Sequence, residues 1–140
     1  MSAQENATLA RRIYQLFSDD KLNDALELVS EDAEIVLVPF GQTFHGRDGF
    51  MQFMQGFKGA FPDIRIAVTN QITSEEYVVS EFTARGTHNG PLQTPAGVVP
   101  PTRRTVDFIV CEVWKVKNGQ LVSAHNYQDS AAIMRQLGLN

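Results

Sequence analysis

A chain of 140 residues with 43% hydrophobic content is long enough for one core and short for two, so a single domain over 1–140 is expected. The net charge of −4 is mild and the 12 Lys and Arg residues are scattered, with Arg11-Arg12 and Arg103-Arg104 the adjacent pairs, which argues against a nucleic-acid or anionic-membrane surface. No apolar run approaches the ~18 residues of a membrane span and the N-terminus lacks a signal-peptide pattern, so a cytoplasmic location is the expectation.

Ser2-Ala3-Gln4-Glu5 spells a capping box, and Ala7, Ala10, Ile13, Tyr14 and Phe17 follow at helical spacing, predicting a first helix. Asp19-Asp20 ends it, and Leu22, Ala25, Leu26 and Val29 form the stripe of a shorter second helix. Ala33 to Val38 is rich in β-branched residues and is halted by Pro39, as a first strand would be. A loop from Phe40 to Gly46 then leads to a third helix, whose Phe50, Phe53, Met54, Phe57 and Phe61 fit the i, i+3, i+4, i+7, i+11 template. That aromatic stripe packs as core or roofs a cavity beside a curved sheet.

After Pro62-Asp63 the pattern turns to period two, predicting strands over Ile64 to Ile72, Tyr77 to His88, Thr105 to Val116 and Leu121 to Tyr127. Asn118-Gly119 between the last two is a hairpin signal. The segment from Asn89 to Arg103, with four prolines and two glycines, reads as a loop that crosses or rims an opening. Asp129 or Ser130 caps a final helix through Leu137, with Gly138 as its stop. Helices followed by long antiparallel strands imply an α+β fold, in which a curved antiparallel sheet wraps around the N-terminal helices as a cone-shaped barrel with a pocket inside.

The chemistry concentrates after Gly86. Alternation puts Glu112 on one face with Val106, Phe108, Val110 and Trp114, and an acid among such neighbours needs either a partner or a purpose. It is either a general base whose pKa desolvation raises, or one half of an ion pair across the sheet. His88, at a strand end, either faces the cavity or is a structural histidine held by backbone. His45 precedes the third helix, where a histidine is usually solvated but can also reach ligand. His125 and Asn126 alternate and cannot both face inward unless a bulge intervenes. Asn126 offers a hydrogen bond to a developing enolate, and Asp129 is a rim base or a helix cap. Tyr14 on the first helix supplies a phenolic donor or a core ring.

Several features match a known family: Gly86-Thr87-His88, the Pro100-Pro101-Thr102 turn with its following arginines, the strand ending at Asn118-Gly119, and the close from Asp129 to Arg135-Gln136-Leu137-Gly138. In these the chain resembles the SnoaL-like polyketide cyclases of the nuclear-transport-factor-2-like superfamily. The resemblance implies a deep apolar pocket, a dimer through the outer sheet face, and cofactor-free ring closure by intramolecular aldol condensation. It also implies an acid/base aspartate on the last strand, whose position falls on Asn126, and a pocket histidine whose position falls on Glu112, while His88 is kept.

Two functions follow. One is a cofactor-free cyclase, isomerase or lyase acting on an apolar carbonyl compound, with Glu112 as base, Asn126 and His88 as donors, and Asp129 at the rim. The other is a binding protein for an apolar small molecule, since Asn126 stands where the base is expected. Tyr14, His45, Phe50, Phe53, Phe57, Phe108 and Trp114 would contact the ligand in either. The lone Cys111 forms no internal disulfide, and no Cys/His spacing suggests a metal. No cofactor, nucleic-acid partner or membrane partner is expected. The opposite face of the Glu112 strand, with Ile109, Cys111 and Val113, is the expected seam between two copies.

Overall fold

The structure, a computed structural model, describes residues 2–139. The Ser2 hydroxyl accepts the Glu5 N–H while the Glu5 carboxylate takes the Ser2 N–H, so helix α1 (Ala3–Ser18) starts at the capping box. Its buried side carries Leu9, Ala10, Ile13, Tyr14 and Phe17, and the Asn6 amide pins it to the carbonyls of Ser74 and Glu75 at 3.0 Å each. Helix α2 (Leu22–Leu26) is little more than a turn, so Val29, expected on its stripe, instead opens strand β1 (Val29–Leu37).

The segment expected as a loop after Pro39 is more ordered than its composition suggests. A 3-10 turn (Val38–Phe40) leads into a short strand, β2 (Gln42–His45), which pairs with β1 and sends Phe44 into the core. Helix α3 (Gly46–Ala60) then buries Phe50 and Met54. Strands β3 (Arg65–Thr73), β4 (Tyr77–Thr87), β7 (Thr105–Lys117) and β8 (Gln120–Gln128) complete a six-stranded sheet of order β2-β1-β8-β7-β4-β3. All its pairs are antiparallel except β1 with β8, which run parallel.

Between β4 and β7 the chain forms a small hairpin, β5 (Leu92–Thr94) with β6 (Gly97–Val99), inside the stretch expected to be an irregular loop. Gly90 roots this excursion under the end of α3, where its N–H and that of Asn89 both bond the Ala60 carbonyl at 3.1 Å. A Cβ at position 90 would stand 1.8 Å from the Gly59 carbonyl oxygen, so only glycine allows that approach. The Asp129 carboxylate caps helix α4 (Ser130–Gln136), and the Gln136 amide bonds both backbone groups of Asp107 on β7.

The architecture is therefore α+β, with helices α1 and α3 packed against a curved, mostly antiparallel sheet. No helix among the described residues is long and apolar enough to cross a membrane.

Candidate active site

Cross-strand register sets the site. Glu112 on β7 lies opposite Ser80 on β4 and Asn126 on β8, and Ser80 lies opposite Gln71 on β3. Same-row neighbours in a sheet share a face, so these four form a polar row across an otherwise apolar wall. The Gln71 amide donates to the Ser80 hydroxyl at 3.1 Å, and the Asn126 amide donates to Glu112 Oε2 at 2.7 Å.

Glu112 is 5% exposed and carries three donors. Its Oε1 accepts the Tyr14 hydroxyl at 2.7 Å and the Trp114 indole N–H at 3.2 Å, while among the described residues Oε2 accepts Asn126 alone. Burial pushes its pKa up, and the hydrogen bonds from Asn126, Tyr14 and Trp114 hold part of that rise back. Burial and the adjacent carboxyl push the Tyr14 phenol well up, so it stays protonated and donates. Among the described residues no cation pairs with Glu112, and the partners of this acid are neutral hydrogen-bond donors.

The row opens on a cavity between α1, α3 and the sheet, enclosing about 550 Å³ of atom-free space with its mouth included. The centres of water-sized particles can sweep about 60 Å³ of it. Tyr14, Phe50, Phe53, Phe57, Phe108 and Trp114 line this space with Glu112 and Asn126. Tyr14 packs tilted against Phe82 and Trp114 with ring centroids 4.9 and 5.0 Å apart, which stiffens the side of the cavity that carries the acid. Phe53 and Phe57 also line an outer hollow with Phe40, Phe44, Gln52 and Leu92, and so form the wall the two spaces share.

Three residues expected at the site lie elsewhere. His88 is fully buried outside the cavity, where its Nδ1 accepts the Thr102 N–H at 3.1 Å and its ring packs 5.5 Å from Phe61. It anchors the return of the 89–103 excursion, and burial lowers its pKa. Asp129 is spent on the Ala132 N–H as the α4 cap. His45 has a side chain 75% exposed, 3.9 Å from Glu34, because β2 alternation sends Phe44 inward and its neighbour out. Gln128, two residues beyond Asn126 on the same face, lines the cavity and was not singled out from the sequence. Period-two alternation would have found it.

No group of three or more His, Cys, Asp or Glu among the described residues is placed to hold a metal. Proton transfer by a desolvated carboxyl is the chemistry this arrangement supports.

The family model described as SnoaL-like polyketide cyclase matches residues 7–137. Among solved structures, a candidate SnoaL-like polyketide cyclase from Jannaschia sp. CCS1 is similar at 19% identity and TM-score 0.87, covering 99% of this chain and 94% of that one. IdmH, a candidate polyketide cyclase from Streptomyces antibioticus, is similar at 26% identity and TM-score 0.78 over 95% and 98% of the two chains. A protein of ketosteroid isomerase-like fold from Catenulispora acidiphila DSM 44928, in complex with trimethylamine, is 14% identical with TM-score 0.79, covering 94% and 93%. No curated protein matches the sequence.

Proposed function

Because the chain belongs to the SnoaL-like polyketide cyclase family, we propose that its cavity takes an apolar carbonyl compound and that Glu112 removes a proton from the carbon next to the carbonyl. The observation that carries this reading is a carboxyl buried in a hydrocarbon-walled cavity, held by three neutral donors, with acceptor capacity left on Oε2. Burial raises its basicity, and the hydrogen bonds from Asn126, Tyr14 and Trp114 stabilise its charged form.

In the proposed reaction Oε2 takes the C–H proton and the electron pair of that bond passes into the carbonyl as an enolate. The second N–H of the Asn126 amide is the donor available to the enolate oxygen. The enolate carbon then bonds to a second carbonyl carbon of the same molecule, and Glu112 returns its proton to the alkoxide formed there. Atoms and electrons balance without a cofactor. His88 and Asp129 take no part.

The test is deuterium incorporation into a small ketone such as 2-indanone in D2O, followed by NMR. Glu112→Gln should slow protein-catalysed exchange by at least ~100-fold. An unchanged rate removes Glu112 from the chemistry. The alternative reading, a binding protein that only orients its ligand, draws on Asn126 standing where the resemblance places an acid/base aspartate. Saturable ketone binding with no exchange above background would favour it.

We also propose that two copies pair through the outer sheet face, where Ile109 is 63% and Tyr127 46% exposed.

A further inference from the structure

The inner cavity is small for the ligand assigned to it. The centres of water-sized particles sweep about 60 Å³ there, against about 160 Å³ in the outer hollow. An apolar cavity of about 150 Å³ takes up one benzene molecule. The inner space therefore falls short of a single six-membered ring, while the outer hollow has room for one. Phe53 and Phe57 are the wall between them.

Of these two rings, Phe53 has the freedom to move. In a helix the side chains three and four positions away surround a given one. Around Phe57 these are Phe53, Met54, Ala60 and Phe61, the last three buried. Around Phe53 they are Gly49, Phe50, Gly56 and Phe57, so two of the four positions carry no side chain.

The two glycines differ in what they face. Gly49 lets α3 approach β2, since a Cβ there would stand 2.9 Å from the Phe44 carbonyl carbon. A Cβ at position 56 meets nothing within 4 Å, and Gly56 lines the outer hollow. Glycine in a helix interior is less stable than alanine, and no contact within the described chain calls for it here. Its effect is to leave open space beside Phe53. That ring is half-buried, lying edge-on to Phe44 and Phe57 with centroids 5.6 and 5.4 Å away and stacked on Phe50 at 6.1 Å. A helical aromatic residue has two χ1 wells open to it, at about 180° and about −60°, and a change of well carries the ring around the helix without moving the backbone.

We propose that Phe53 is a specificity-determining gate whose ring turns out over Gly56 into the outer hollow when a ligand enters, so that the ligand takes the volume the ring vacates. The ligand accepted is then a compact apolar molecule of about two fused rings, limited by how far one phenyl ring withdraws. The inference rests on the reading of the inner cavity as the substrate site and adds how that site opens.

The test reads binding and not turnover. Benzene is titrated into the protein while NMR follows two signals: the indole N–H of Trp114, the chain's single tryptophan and a residue of the inner cavity, and the three-bond couplings that report χ1 of Phe53. In the wild type, saturable binding should shift the Trp114 signal and move Phe53 to its other well. Gly56→Leu fills the hollow and should weaken this binding at least ~10-fold, because it removes the population with the ring turned out. Gly56→Ala replaces the same glycine but leaves the hollow open, so its affinity should stay within about twofold of the wild type. The double variant Gly56→Leu/Phe53→Ala has no ring to turn and should bind at least as tightly as the wild type.

A Trp114 shift with χ1 of Phe53 unchanged, no binding in the inner cavity, or wild-type affinity in Gly56→Leu overturns the proposal. Equal losses in Gly56→Ala and Gly56→Leu also overturn it, since they trace the effect to the helix and not to the hollow. Benzene carries no C–H beside a carbonyl, so these outcomes are independent of whether Glu112 acts as a base, which deuterium exchange tests separately.

Discussion

The Tyr14 hydroxyl stands 2.7 Å from Glu112 Oε1, a buried hydrogen bond between α1 and β7 across 98 positions of sequence. It fastens the first helix to the sheet and sets how readily the acid gives up its proton. Tyr14→Phe removes a charge-assisted bond, and its cost is expected at about 1.5–3 kcal/mol by chemical denaturation. Because that bond lowers the Glu112 pKa, its removal raises it. The rise of the exchange rate with pH should therefore move to higher pH in the variant, which a pH–rate profile measures.

Stability should report the same group with a definite sign. A carboxyl whose folded pKa is raised binds its proton more tightly in the native state, so its contribution is fully present below the unfolded value of 4.5 and lost as pH rises through the folded value. Glu112→Gln imitates the protonated form at every pH. Its denaturation midpoint should exceed that of the wild type near neutral pH, with the gap closing toward about pH 4. Pairing the two proteins cancels the opposite trend from Asp19, Asp32 and Asp63, whose hydrogen bonds depress their pKa values, and from His88, which burial depresses.

His88 supports the loop and does no chemistry in this account. His88→Ala leaves the Thr102 N–H without its acceptor and opens space beside Phe61, a loss of about 2–4 kcal/mol. Exchange per folded molecule should stay within about twofold of the wild type, a range set against the much larger loss expected from removing a base. A collapse in rate without a loss of stability would return the histidine to the mechanism.

Phe53 separates the cavity from the outer hollow. Phe53→Ala should join the two spaces and admit ligands longer than the wild type accepts, at a stability cost of about 1–3 kcal/mol because the ring is only half-buried. Relative affinities for a series of alkyl-extended phenols, read by NMR titration, check this.

For the proposed pairing of two copies, Ile109→Arg puts a charge in the centre of the outer face. Light scattering should show a dimer for the wild type at micromolar concentration and a monomer for the variant. A wild-type monomer contradicts the pairing.

Much of the fold was legible because periodicity and caps are local. The capping box at Ser2 and Glu5, the α3 stripe and the alternation around Glu112 all depend on neighbours a few residues away. The Asn118-Gly119 turn likewise appears with both residues at positive φ, 54° and 74°.

What lay beyond local pattern was less legible. From that two-residue turn Lys117 faces Gln120 and Val116 faces Leu121, a register that would bring His125 opposite Glu112. A bulge leaves Val122 unpaired, so Ser123 faces Lys115 and Asn126 arrives beside the acid. Nothing in the sequence marks the bulge strongly. The displacement of His88 from the cavity depends in the same way on Thr102, 14 residues further along a chain path that no periodicity describes.

The account turns on Glu112 as a desolvated, titratable acid inside the cavity. Carbon-13 NMR of its side-chain carboxyl across a pH series measures that directly. The predicted result is a titration midpoint above the ordinary glutamate value of 4.5, moving higher in Tyr14→Phe. A midpoint at or below 4.5 would mean a solvated or ion-paired carboxylate, and would contradict the role assigned to it.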